Sequence, residues 1–348
     1  MEYRQIADTS IKVSQICFGG WQIGGTDWGN ISEADAGISV KTAFENGINF
    51  FDTADYYGNG RSEEIIGKAI ALQRGQCVIS SKGGLIKSDG KTVGYDGSPE
   101  HLRNALHGSL SRLSTDYVDL YQLHWTDPKV AIETSVSELS KLKQEGKIHQ
   151  IGLSNCTKAE LARALQVAPI ASVQLSYNML RRDIEDDMLE FCKQNRISIL
   201  AYNPLARGLL TGKYSSGDTF EDVRKKDPMF HGAIFKINIA TVGELKRIAT
   251  EYKISLLSLV KSWSLRLPTI ASIIVGVKNA SQIEEVINAQ YIGNHEQIYE
   301  EVENVLAQRF EKISRHFWYL KIAGVIIRNN KIKRFLLKLY KRIRKAMM

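Results

Sequence analysis

Short apolar runs alternate with stretches of helical spacing along most of this chain. Residues 3–6 and 11–13 flank the turn-forming Ala7-Asp8-Thr9-Ser10 and predict an N-terminal β-hairpin. Residues 15–18, 47–51, 77–81, 117–123, 148–153, 172–175, 197–201 and 272–275 predict strands. Helical spacing fills the intervals, at 33–46, from Ser62 onward, and from Ser98-Pro99-Glu100, where proline takes the first helical position. A βα repeat of about eight units predicts a closed (β/α)8 TIM barrel rather than an open doubly wound sheet. No Gly-x-Gly-x-x-Gly follows a strand, which argues against a dinucleotide-binding half-domain of that kind.

The polar residues that end these runs carry the chemistry. Asp52 closes one strand, with Tyr57 just beyond it; Lys82 closes the next, and His124 closes a third. In a barrel, strand C-termini converge on one face, where the active site lies. A tyrosine hydroxyl is a weak acid, with an ordinary pKa of about 10. A neighbouring ammonium favours its phenolate, so Lys82 suits the activation of Tyr57. Asp52 suits holding Lys82 charged, and His124 suits orienting a carbonyl. Taken singly, such an Asp is more often a helix cap, and such a Lys is more often solvated. Four compatible groups at successive strand ends point to proton transfer to a carbonyl.

The stretches Asp52-Thr53-Ala54-Asp55-Tyr56-Tyr57-Gly58, Ser62-Glu63-Glu64, Ser81-Lys82, 116–124 and Ile151-Gly152-Leu153-Ser154-Asn155 resemble the aldo-keto reductase family over roughly residues 1–305. The resemblance implies NADPH-dependent reduction of an aldehyde, ketone or keto-sugar, with Asp52, Tyr57 (the acid), Lys82 and His124 as its catalytic tetrad. It implies that Ser154, Asn155 and Gln174 bond the nicotinamide carboxamide and that Tyr202 stacks on the ring. It assigns the pyrophosphate to Pro204, Leu205, Gly208 and Lys213, and the adenosine end to Gly276, Lys278, Gln282 and Glu285. Lys278 stands where a cation meets the 2′-phosphate. Val286 departs from the family pattern, in which an Asn commonly follows the Glu. Trp21, Trp28, Tyr56 and Trp125 are expected at the pocket mouth, and the charged stretch 222–230 as a lid loop. The alternative is a cofactor-binding scaffold like the potassium-channel β subunits, which share the fold. No metal site is expected.

Composition refines this picture at one end. The chain has 348 residues and a net charge of +8. Residues 315–348 hold eleven Lys and Arg and no Asp or Glu, which leaves 35 cations against 38 anions, a net −3, in the first 314 residues. Within the tail, Ile332, Phe335, Leu336, Leu339, Tyr340 and Ile343 form one apolar helical stripe opposite the cations. The expected division is a barrel at 1–307 and a basic amphipathic helical extension at 308–348. The tail suits an anionic membrane surface first and docking or a homo-oligomer contact second. Nucleic acid ranks last, because phosphate contacts need no apolar stripe. With no apolar run near ~18 residues and no leader segment, a cytoplasmic location is expected, peripheral to the membrane if the tail binds it. Cys17, Cys77, Cys156 and Cys192 lie in or beside apolar segments without paired spacing and are expected as buried free thiols.

Overall fold

A computed structural model describes residues 1–322 except 26, 27, 30, 89, 90 and 294, with side chains described outside 87–93 and 317–322. The apolar stripe at 332–343 lies outside the described residues.

The chain opens with the hairpin β1 (Tyr3–Gln5) and β2 (Lys12–Ser14), then β3 (Ile16–Gly19), α1 (Glu33–Glu45), β4 (Phe50–Asp52), α2 (Arg61–Ala69) and β5 (Val78–Gly83). A second hairpin follows, β6 (Leu85–Ser88) and β7 (Lys91–Tyr95), then α3 (Pro99–Leu113), β8 (Val118–Leu123), α4 (Ile132–Gln144) and β9 (Ile148–Ser154). The remaining elements are α5 (Lys158–Ala164), β10 (Ser172–Ser176), α6 (Met188–Gln194), β11 (Ser198–Tyr202), α7 (Gly232–Glu251), α8 (Leu256–Leu265), β12 (Ile270–Gly276), α9 (Ala280–Asn288) and α10 (Glu296–Ile322).

Eight parallel strands close into the barrel β3-β4-β5-β8-β9-β10-β11-β12. Its strands are buried on both faces, as β8 is at every position, which is why they read as apolar runs rather than alternating ones. Local signals set the helix starts. Ser98 Oγ caps α3 by accepting the His101 amide, with Pro99 behind it. Thr157 and Glu160 form a reciprocal capping box on α5.

The chain divides into two compact units. The first, residues 1–177, 187–204 and 264–288, holds the whole barrel and both hairpins. Ile6, Ile11 and Val13 of the first hairpin join Cys17, Phe50, Leu120, Leu200 and Ile274 in one core cluster. That end of the barrel is therefore filled by side chains, and the polar strand ends gather at the other. The second unit, residues 178–186, 205–263 and 289–348, packs α7 against α10. Helix α10 runs through position 307. All four cysteines are free and buried. No helix among the described residues is long and apolar enough to cross a membrane.

Candidate active site

Strand pleat explains which polar residues meet. Along β5, Ser80 and Lys82 point into the barrel and the intervening Ser81 points outward, toward Glu63 of α2. Lys82, fully buried, donates from Nζ to Asp52 Oδ2 at 2.7 Å, to the Thr53 carbonyl at 2.8 Å and to Tyr57 Oη at 3.3 Å. An ammonium has three donors, so all of them are engaged. Asp52 Oδ1 accepts from Gln174 Nε2 at 2.8 Å and Gln122 Nε2 at 3.4 Å. Asp52 is thus bonded through both oxygens, as a buried carboxylate requires. The His124 ring stands nearly perpendicular to Tyr57, with centroids 5.8 Å apart. Its backbone is pinned by the His124 amide on the Gly83 carbonyl.

Burial works to lower the Lys82 pKa, but Asp52 and Tyr57 more than offset it, so the ammonium is held charged. The tyrosine behaves differently from the simple expectation of an activated acid. Burial pushes Tyr57 up to about 12, and the opposing pull of Lys82 does not overcome it. The hydroxyl is therefore a resident proton store at neutral pH. Because Tyr57 Oη accepts from Lys82, its own hydrogen is left for another acceptor.

The groups expected to hold a nicotinamide cluster beside this tetrad. Asn155 Nδ2 donates to the His124 carbonyl at 3.2 Å and to Ser154 Oγ at 3.0 Å. Tyr202 Oη donates to Asn155 Oδ1 at 2.8 Å, and Ser154 Oγ to the Gln174 carbonyl at 3.3 Å. Asn155 takes a positive φ of 56°, which turns the chain sharply at the end of β9. At the end of β12, the side-chain amide of Gln22 lies against Gly276, where a Cβ would meet it. Lys278 donates from Nζ to the Trp28 carbonyl at 2.6 Å, and its amide donates to Gln282 Oε1 at 2.9 Å. Glu285 is exposed on α9. Pro204 belongs to the first unit, whereas Leu205, Gly208 and Lys213 belong to the second. There, Ala206, Arg207 and Gly208 take successive positive φ values of 48°, 55° and 91°. Lys213 Nζ lies 5.2 Å from the Tyr214 ring centroid.

The aldo/keto reductase family profile matches residues 15–306. The chain is 38% identical over 289 residues to the aldo-keto reductase YhdN of Bacillus subtilis, covering 82% of this chain and 87% of that one. The chain belongs to the aldo/keto reductase family. Among solved structures, the glycerol dehydrogenase AKR11B4 of Gluconobacter oxydans is similar at 32% identity and a TM-score of 0.82, covering 88% of this chain and 95% of that one. The holo form of the aldo-keto reductase AKR11C1 of Bacillus halodurans follows at 25% identity and a TM-score of 0.75, covering 88% of this chain and 96% of that one. The protein is accordingly an oxidoreductase of the aldo/keto reductase family, whose general reaction is carbonyl reduction.

In this aldo/keto reductase the expected pocket aromatics take different places. Trp21 stacks over Tyr57 at 6.3 Å and meets Trp28 edge-on at 5.4 Å. Tyr56 stands edge-on to His124 at 6.1 Å. Trp28 is buried, while Trp125 is exposed and pairs with Tyr95 of β7 at 6.3 Å. Tyr95 was not singled out in the sequence, because its hairpin was not recognised. Its signal was present as Ser88-Asp89-Gly90 between two β-prone stretches. Gln122, which braces Asp52, was missed because it sits inside an apolar run. The stretch 222–230 forms two short 3-10 turns capped by Asp222 and Asp227.

Proposed function

We propose that this aldo/keto reductase is an NADPH-dependent carbonyl reductase in which Tyr57 delivers the proton. The observation that carries the reading is the Lys82 ammonium, which joins Asp52 and Tyr57 in one buried chain of hydrogen bonds. The amide and hydroxyl groups of Ser154, Asn155 and Gln174 offer the donors and acceptors that a neutral carboxamide needs. A bound nicotinamide supplies the hydride.

The chain's own residues then handle the proton. An alkoxide oxygen developing near Tyr57 Oη draws the hydroxyl hydrogen. As the phenolate forms, its hydrogen bond from the Lys82 ammonium becomes a bond between opposite charges and strengthens, which stabilises the transition state more than the ground state. Asp52 keeps Lys82 protonated throughout, so the ammonium itself is not consumed. His124 orients the carbonyl oxygen toward the acid. Lys278 fits the 2′-phosphate of NADPH as a point charge. The aromatic side chains Trp21 and Tyr56 beside Tyr57 and His124 suit an uncharged aldehyde, ketone or keto-sugar. NADPH consumption across sugar aldehydes, keto-sugars and aromatic aldehydes tests the reading. Turnover with at least one class is expected, and no turnover with any would refute it.

A further inference from the structure

Two consecutive carbonyls just beyond Lys82 fix the rim of the site. The Gly83 carbonyl accepts the His124 amide at 2.9 Å, and the Gly84 carbonyl accepts the Asp96 amide at 3.1 Å. Trp125 follows His124 and Tyr95 precedes Asp96, so these two bonds bring both aromatics to the end of β5. Tyr95 is also paired with Leu85 across the β6 and β7 ladder. A second clasp lies one step further out. The Gly97 amide donates to Oδ2 of the buried Asp127 at 3.1 Å, and Ser135 Oγ of α4 donates to the Gly97 carbonyl at 2.6 Å. Thr126 Oγ1 donates to Glu160 of α5 at 2.7 Å. The backbone that carries each ring is therefore held on both sides.

The rings themselves stay open to solvent. Tyr95 is 41% exposed and Trp125 39%, with centroids 6.3 Å apart and planes tilted by 45°. A single exposed apolar side chain needs no explanation, but two large rings held together at a catalytic face do. Their ordering cost is already met by the fold, which lowers the cost of binding a third ring against them. The neighbouring carboxylates are engaged by backbone, Asp96 Oδ1 by the Ser98 amide at 2.9 Å and Asp127 Oδ1 by the Lys129 amide at 2.8 Å. The pair thus offers apolar surface rather than charge. Inward of it the His124 ring meets Tyr56 and Tyr57 edge-on. The one-residue step from His124 to Trp125 sets the pair beside the reacting groups, not among them.

We propose that Tyr95 is a specificity-determining residue, which with Trp125 forms an outer wall for the aryl ring of a substrate whose ring and carbonyl are joined by a short linker. The inference rests on the reductase reading above and names the part of the substrate that the rim takes. An aryl ring makes edge and face contacts with both side chains that an alkyl group does not. The ring of Tyr95 supplies the contact, and its hydroxyl is not required.

Reduction of 4-phenyl-2-butanone and of 2-butanone by the full chain tests this, with preference read as the ratio of their kcat/KM values. Tyr95→Ala should lower that ratio about tenfold, through the KM of the aryl ketone rather than its kcat. Tyr95→Phe should keep the ratio. Trp125→Leu should lower it as Tyr95→Ala does, and it decides the matter if Tyr95→Ala fails to fold. An unchanged ratio overturns the proposal, and so does an equal loss with both ketones, which would mark a merely structural role. Calorimetry of 4-phenyl-2-butanone on the NADP+-loaded chain reads the same contact without turnover. Its dissociation constant should rise about tenfold in Tyr95→Ala. If the chain reduces no carbonyl, the reductase reading fails by itself. The aryl site then stands on that tenfold rise and falls if the constant is unchanged or the unmodified chain does not bind the ketone.

Discussion

The Lys278 ammonium is bonded to the Trp28 carbonyl at 2.6 Å, and its nitrogen lies 5.8 Å from the centre of the Trp28 ring. The cation proposed for the 2′-phosphate therefore already has an oxygen partner, and Trp28 in turn packs on Trp21 against Tyr57. A phosphate must compete with that carbonyl. An anionic phosphate would offer the ammonium a Coulombic attraction that the neutral carbonyl lacks.

Lys278→Met should erode a preference for NADPH over NADH, by removing a contact worth about 1.5–3 kcal/mol. Dissociation constants of both cofactors, for the unmodified chain and the variant, decide it. Equal affinities in the unmodified chain would remove this role from Lys278.

Gly276→Ala places a methyl group within 1.9 Å of Gln22 Oε1. The Gln22 amide is the far end of a flexible, partly exposed side chain, so displacing it costs about 1 kcal/mol, the low end for overpacking. The variant should melt lower and bind cofactor more weakly. Gln22→Ala in the same chain should restore much of the melting temperature, because it removes the colliding group. Failure of the second change to recover stability would show that the collision is not the cause.

The barrel, and the meeting of Asp52, Tyr57 and Lys82 at one end of it, were legible for one physical reason. Parallel strands buried on both faces must be apolar, so a polar residue that breaks such a run stands out, as Asp52, Lys82 and His124 do. The pairing of Glu63 with Ser81 and Arg112 was not legible, because it depends on how α2 and α3 cover the barrel wall, and that is a tertiary matter. The hairpin of β6 and β7 was missed although its turn residues were present, since its short strands carry Lys87, Ser88, Lys91 and Thr92 in place of an apolar run. The continuity of α10 past position 307 follows its helical spacing through Phe310 and Ile313 rather than the extent of the family resemblance.

Lys82→Met should be costly twice over. It leaves the Asp52 carboxylate buried without its cation, and breaking a buried pair from one side costs about 3–5 kcal/mol. It also removes the charge that stabilises the Tyr57 phenolate. Urea denaturation and turnover should both show the loss. Asp52→Asn in the same chain should recover part of the stability and none of the activity, since it removes the orphaned charge without replacing the ammonium.

The basic tail yields a prediction that concerns charge alone. Each cation near an anionic surface contributes about 1 kcal/mol of attraction. The full chain should co-sediment with anionic vesicles at low salt and release at high salt. A chain ending at Ile322 should stay in the supernatant with its turnover unchanged. Retention of the full chain in the supernatant at low salt would favour a docking or oligomer contact instead.

The central claim is that the Tyr57 hydroxyl, held by Lys82, is the proton donor. Tyr57→Phe tests it most directly, because it removes one oxygen and leaves the ring stacked with Trp21. The kcat for ketone reduction should fall by roughly 10²–10⁴-fold, with the dissociation constant for NADPH unchanged. Ketone reduction by this variant at a rate near that of the unmodified chain would contradict the assignment.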